Sequence, residues 1–154
     1  MTSDAQSIDT LIRRRRTIKP PMMSEAPVAE DDLREILENA NWAPTHGMTQ
    51  PWRFRVYRGA ARAELGRQLA ELYETALPAD QQKEGKADKL REMPALAPVV
   101  ILVWMKRQTI EKIREIEEIE AVACAVQNMH LSATARGLGA FWSTPPILYL
   151  PEML

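Results

Sequence analysis

Apolar residues recur along this chain with two periods, and the periods divide it into helical and extended segments. Ile8, Leu11 and Ile12 share a face between Ser7 and Arg16, which predicts a short helix. Pro20-Pro21 ends it and forces an extended connector. Leu33, Ile36, Leu37 and Ala40 fall at i, i+3, i+4 and i+7 and predict a second helix from about Ala29 to Trp42. Its first turn carries Glu30, Asp31 and Asp32, where the helix dipole favours negative charge. Ala43 to Pro51 holds two prolines and a glycine and reads as a loop. Trp52 to Tyr57 alternates as a strand does, and Leu65, Leu69 and Leu72 mark a helix from Ala60 to Ala76.

Pro78 to Met93 is polar and rich in Lys, Gln and Asp, the composition of a mobile segment or lid. Pro98 to Met105 is a nearly unbroken apolar run, which predicts a strand buried on both faces. A long helix follows from about Ile110 to Arg136, roughly 40 Å in length. Ile110, Ile113, Ile116 and Ile119 stand among charges in its first half. Ala121, Ala123, Cys124, Ala125, Ala133 and Ala135 make the second half small and apolar. Such a helix is expected to start exposed and end buried, with room for another backbone or a flat ligand to come close. Gly137 suits a left-handed cap, Gly139 lets the chain turn, and Ala140 to Thr144 reads as a short strand. Pro145 to Leu154 is apolar and stops without a cap or polar tail. The expectation is that the natural chain continues; the alternative is a short C-terminus packed into a groove.

Composition narrows this to one compact domain over residues 1–154. The chain has 154 residues, of which 45% are hydrophobic, enough for one core and too few for two ordinary domains. A net charge of −1 provides no overall field toward nucleic acid or membrane. Cys124 is the only cysteine, so an intrachain disulfide is excluded, which suits a reducing cytoplasm. No apolar stretch of the secretory kind follows the first residues, and no run reaches the ~18 apolar residues of a membrane span. A cytoplasmic location is expected.

Three segments carry candidate chemistry. Arg13-Arg14-Arg15-Arg16-Thr17-Ile18-Lys19 ends a helix and enters an extended segment. Guanidinium forks match phosphate oxygens and a threonine hydroxyl adds a short donor. A solvated basic patch would have the same composition, and the lack of nearby aromatics argues against nucleic acid. Trp42 to Phe54 is a proline-bounded loop presenting His46 and Gln50. A side-chain amide both donates and accepts, so Gln50 can meet the edge of a planar heterocycle. In a purely structural turn, His46 would instead cap a backbone carbonyl. Ser132 to Gly137, followed by Gly139-Ala140-Phe141-Trp142-Ser143-Thr144, sets hydroxyls and backbone amides after a glycine turn, where phosphate or a ring edge can bind. No nucleophile–base constellation stands out.

Taken together, these segments resemble the nitroreductase family, in its short, compact bacterial branch. The resemblance rests on Arg15-Arg16-Thr17, on Ala43-Pro44 with Gln50-Pro51-Trp52-Arg53-Phe54, and on Arg136-Gly137-Leu138-Gly139-Ala140-Phe141-Trp142, and it covers essentially the whole chain. It implies an α+β fold, with a mixed sheet flanked by helices, a long central helix, and an intertwined homodimer with FMN at the interface. It also implies a last strand that this chain lacks. By position, Arg15, Arg16 and Thr17 would hold the flavin phosphate and ribityl chain. Lys19 would set a cation beside the pyrimidine edge. His46 and Gln50 would contact the flavin, and Trp142, Ser143 and Thr144 would close over it. Ser132, Ala133, Thr134, Ala135, Arg136 and Gly137 correspond to a stretch assigned to NADH or NADPH. Met48 stands where many relatives have a polar residue beside the flavin, and Ser143 and Pro145 replace a basic residue and a glycine.

The activity implied is a ping-pong NAD(P)H oxidoreductase acting on nitroaromatics, quinones or similar electron-poor acceptors. The flavin carries the chemistry, so no catalytic side chain and no metal is expected. Alternatives are a non-catalytic flavin-binding protein, or a relative of the same fold acting in dehalogenation or flavin breakdown.

Overall fold

The structure, a computed structural model, describes residues 3–150. Helix α1 (Asp4–Arg14) is capped by the Ser3 hydroxyl, which accepts from Gln6 N–H at 3.3 Å. The helix stops two residues short of the expected Arg16, and none of its residues is buried. Its apolar face of Ile8 and Ile12 is open to solvent. Helix α2 (Glu30–Ala40) carries its three acids in the first turn and buries Leu33, Ile36 and Ala40. Strand β1 (Trp52–Arg58) follows the proline-bounded loop, and α3 (Ala60–Ala76) has the predicted bounds.

The polar stretch from Pro78 to Met93 is not an open lid. It forms a 3-10 turn at Ala79–Gln81 and helix α4 (Lys86–Glu92), which packs on α3 and buries Leu90. Gly66 makes the close approach possible, since a Cβ there would lie 2.0 Å from the Arg91 carbonyl oxygen. Leu90 within the segment and Tyr73 on α3 are the buried points that anchor it. The Tyr73 hydroxyl accepts from Lys83 N–H at 2.7 Å. Composition reports the many exposed positions and hides the few that decide packing.

Strand β2 (Val99–Met105) pairs antiparallel with β1. Lys106 N–H donates to Pro51 O at 2.8 Å, where proline has no N–H to return and the ladder ends. The expectation that β2 is buried on both faces does not hold. Its side chains are half-buried and Trp104 is exposed, because β1 is its one neighbouring strand among the described residues. The segment from Ala140 to Thr144 forms no strand. Ala140 alone pairs, through a parallel bridge to Thr17. Both pairing senses therefore occur.

Helix α5 (Glu115–Ala135) starts later than Ile110. Ile110 to Ile113 closes a turn, with Ile113 N–H donating to Ile110 O at 3.0 Å, and the Glu117 carboxylate takes the Arg114 N–H at 2.9 Å. Burial follows a face of α5 and not a half. Glu118, Ala121, Ala125, Met129 and Ser132 line the buried side, while Ala123, Cys124 and Ala135 are open. Its end is a Schellman cap, with Leu138 N–H on Ala133 O at 2.9 Å and Gly137 at φ 73°.

The described chain makes two compact units. One comprises the described part of 1–18 with 28–55 and 102–140; the other comprises 19–27, 56–101 and the described part of 141–154. The first is built on α2 against α5, the second on α3 against α4, with Ile147 of a 3-10 turn at Pro146–Tyr149 buried on α3. Each fully buried aliphatic side chain contributes on the order of 1.5–3 kcal/mol. No described helix is long and apolar enough to cross a membrane.

Candidate functional site

The first unit carries two clusters of the expected site residues, one at each end of α5. At the C-terminal end, the Thr17–Ala140 bridge and the bond from Ile18 N–H to Ala140 O, at 3.0 Å, lay the Arg15–Thr17 segment against the helix exit. Gly139 is required there, because a Cβ would lie 2.9 Å from Ile18 Cβ. Arg15 is half-buried and its charge bears on His130 of α5. Burial first, and then Arg15, hold the His130 imidazole below its ordinary value of 6.5. Arg16 turns back and donates to the carbonyls of Arg13 and Arg15, capping the end of α1.

In the stretch from Ser132 to Gly137, the longer polar side chains have internal partners. The buried Ser132 hydroxyl accepts from Asn39 at 2.9 Å and from Arg136 at 2.8 Å. Arg136 also reaches Asp32 at 3.4 Å and Glu35 at 3.6 Å on α2, and Thr134 donates to His130 O at 2.8 Å. Ala135 opens onto a groove of about 390 Å³ lined by Ser7, Thr10, Leu11 and Arg14 of α1.

The second cluster lies at the N-terminal end of α5. His46 Nδ1 sits 3.1 Å from Glu117 Oε2, so its partner is a carboxylate and not a backbone carbonyl. The Arg114 N–H first, and then His46, hold the Glu117 carboxyl below its ordinary value of 4.5. A depression of about 270 Å³ opens here, lined by Thr45, His46, Glu117, Glu120 and Cys124. Trp52 closes the loop from behind, its indole N–H donating to Asn41 Oδ1 at 2.9 Å. The loop is strained: Met48 has φ 54° and Gln50 φ 42°, where side chains are rarely accommodated. Gln50 is exposed, Met48 is 84% exposed, and Thr49 Oγ1 is buried with no partner among the described residues.

Glu117 and His130 are 13 residues apart on α5, so the two clusters stand roughly 20 Å apart along it. Arg15, Thr17 and the end of α5 come together; His46 and Gln50 do not join them within this chain. Lys19, Trp142, Ser143 and Thr144 belong to the second unit and are exposed there, Lys19 at the head of a 3-10 turn. Sequence reasoning missed Glu117, His130, Asn39 and Asn41. Their partners lie far off in sequence or on another element, and the one local signal was the Arg114-x-x-Glu117 spacing of a helix start.

The nitroreductase family profile matches residues 12–148. The chain belongs to the nitroreductase family. It is 31% identical over 145 residues to YdjA of Escherichia coli (strain K12), a protein named for NAD(P)H nitroreductase activity, covering 94% of this chain and 75% of YdjA. The fold is similar to that of a nitroreductase-like family protein from Bacillus cereus, at TM-score 0.78 and 28% identity, over 99% of this chain and 77% of that one. A nitroreductase-type protein from Desulfovibrio desulfuricans, solved in complex with FMN, aligns at TM-score 0.69 and 29% identity over 96% of this chain and 72% of its own.

Proposed function

We propose that this protein is an FMN-dependent NAD(P)H oxidoreductase that reduces nitroaromatic, quinone or similar electron-poor acceptors, working as a homodimer. The observation that carries the reading is the Thr17–Ala140 bridge, which sets Arg15 and a threonine hydroxyl at one place on the end of α5. Two segments widely separated in sequence are thereby placed to serve one ligand, a flavin nucleotide.

The residues present fit that ligand. Arg15 is half-buried beside the end of α5, and its guanidinium fork matches phosphate oxygens. The exposed Gln50 amide offers a donor and an acceptor suited to a ring edge. Bound FMN would supply hydride acceptance from NAD(P)H and its delivery to the acceptor. Arg15 and Thr17 anchor the phosphate, with Arg16 adding charge while it closes α1. His46 fixes the loop on Glu117, and Gln50 orients the ring. Lys19, Trp142, Ser143 and Thr144 keep the cofactor roles that the resemblance implies. Ser132 to Gly137 serves chiefly as a scaffold, and Ala135 is the point at which a nicotinamide nucleotide would meet it.

The 20 Å between the clusters argues for two copies. One chain offers the phosphate anchor and the other offers the ring loop, in a reducing centre shared across a twofold.

The test is an absorbance spectrum of the full chain after incubation with FMN and gel filtration. Retained flavin bands that bleach on adding NADPH or NADH are expected. A colourless eluate counts against the cofactor, and colour that NAD(P)H leaves unchanged counts against the enzyme.

A further inference from the structure

The loop from Ala43 to Pro51 adopts a conformation that its own residues disfavour, so something outside it must hold it. Met48 and Gln50 both occupy the left-handed region, with φ of 54° and 42°. Such strain persists where the surroundings over-determine the backbone, and it clusters at binding sites. Two of the fixings have been described: His46 on Glu117, and Lys106 N–H on Pro51 O. A third runs deeper. Gly47 lies against Ile113 so closely that a Cβ there would be 2.9 Å from Ile113 Cδ1. Ile113 is 0% exposed, and its carbonyl accepts from Arg107 Nη2 at 2.6 Å. The other arm of Arg107 pairs with Glu118 Oε2, which also accepts the Gln108 N–H at 3.2 Å. Glu118 is 1% exposed, and its second oxygen is buried without a partner among the described residues.

A buried acid with one bare oxygen is a poor way to gain stability, since replacing such pairs by apolar side chains is often neutral or better. Its effect here is geometric. Glu118 fixes one edge of the Arg107 fork, the other edge fixes the Ile113 carbonyl, and the Ile113 side chain seats Gly47. A glycine is needed at 47 for this contact and for its φ of 62°.

We infer that Arg107 and Glu118 are positioning residues for the ring-contacting loop, acting through Ile113 and Gly47 to set the conformation in which Gln50 meets FMN. The inference rests on the flavin reading above. The fork matters because lysine offers a single point charge and cannot hold two acceptors in a fixed plane.

The experiment titrates the full chain with FMN and, separately, with riboflavin, following flavin fluorescence, with circular dichroism melting as the check on folding. Arg107→Ala should weaken both ligands about tenfold and equally, since the loop touches the ring and not the phosphate. The FMN-to-riboflavin affinity ratio then stays at the wild-type value while the visible flavin band shifts. Arg15→Ala should lower that ratio and leave the band in place. Arg107→Lys should recover part of the loss. Gly47→Ala should reproduce the Arg107→Ala pattern, and adding Ile113→Val should restore part of it. That pair decides the matter if Arg107→Ala does not fold.

A folded Arg107→Ala that binds both flavins within about twofold of wild type overturns the inference alone, provided Arg15→Ala still weakens FMN. Wild-type protein that binds neither flavin overturns the cofactor reading and this inference with it.

Discussion

Arg15 and His130 show how much one pair of side chains can reveal. Arg15 sits half-buried against α5, and burial first, then that positive charge, hold the His130 imidazole below its ordinary value. Arg15→Ala should weaken FMN binding by roughly 1.5–3 kcal/mol, the worth of a charged hydrogen bond, while riboflavin binding changes little. Equal losses for the two ligands, measured by fluorescence titration, would contradict a phosphate role. His130 gives a pH prediction with a definite sign. Its folded value lies below its ordinary 6.5, so below that pH the unfolded chain takes up a proton that the folded one resists. Stability from this group is therefore complete above pH 6.5 and falls as pH drops through the lowered folded value. His130→Gln should flatten the melting temperature against pH over that window. A wild-type curve of the same shape as the variant's would assign the acid sensitivity elsewhere. His46 was legible as a candidate because it stood in a short, proline-bounded loop. His130 was not, because a histidine in the middle of a helix looks the same whichever element faces it.

At the scale of elements, periodicity performed best where a segment buries one face against one neighbour. Helix α3 has the predicted bounds, and α2 differs by one or two residues at its ends. It performed worst where a few contacts override composition. The polar stretch before β2 folds as α4 because Leu90 and the bare backbone at Gly66 let two helices meet. Gly66→Ala should destabilise the protein by about 1–3 kcal/mol, since the added carbon meets a carbonyl and not a flexible side-chain tip. Urea unfolding measures it, and a neutral result would mean that α4 is free to move off α3. The same reasoning explains why α5 begins at Glu115 and not Ile110. Isoleucines at helical spacing continue the pattern, but Ile113 is drawn into the core of the first unit beneath Arg107, and Glu117 caps the helix one residue later.

For the whole molecule, the exposed apolar side chains carry the next prediction. Ile8 and Ile12 on α1, and Ile116 and Ile119 on α5, are about half exposed, as a surface awaiting a partner would leave them. The 17.5 kDa chain should therefore run as a dimer by light scattering after gel filtration. Ile119→Arg should shift it to monomer and release flavin in the same step. A monomer that keeps its flavin would remove the two-copy site and leave one chain to hold the cofactor by itself.

The order of segments along the chain determined the family, the helix–strand succession, and the residue types able to meet a phosphate and a ring edge. These are local properties, set by side-chain chemistry and by the period at which apolar groups recur. Tertiary structure alone decided which of those residues share a place. The Thr17–Ala140 bridge spans more than a hundred residues, and the length of α5 sets the distance from Arg15 to His46. Contacts of that kind depend on how elements close against one another, and spacing in sequence carries no record of it.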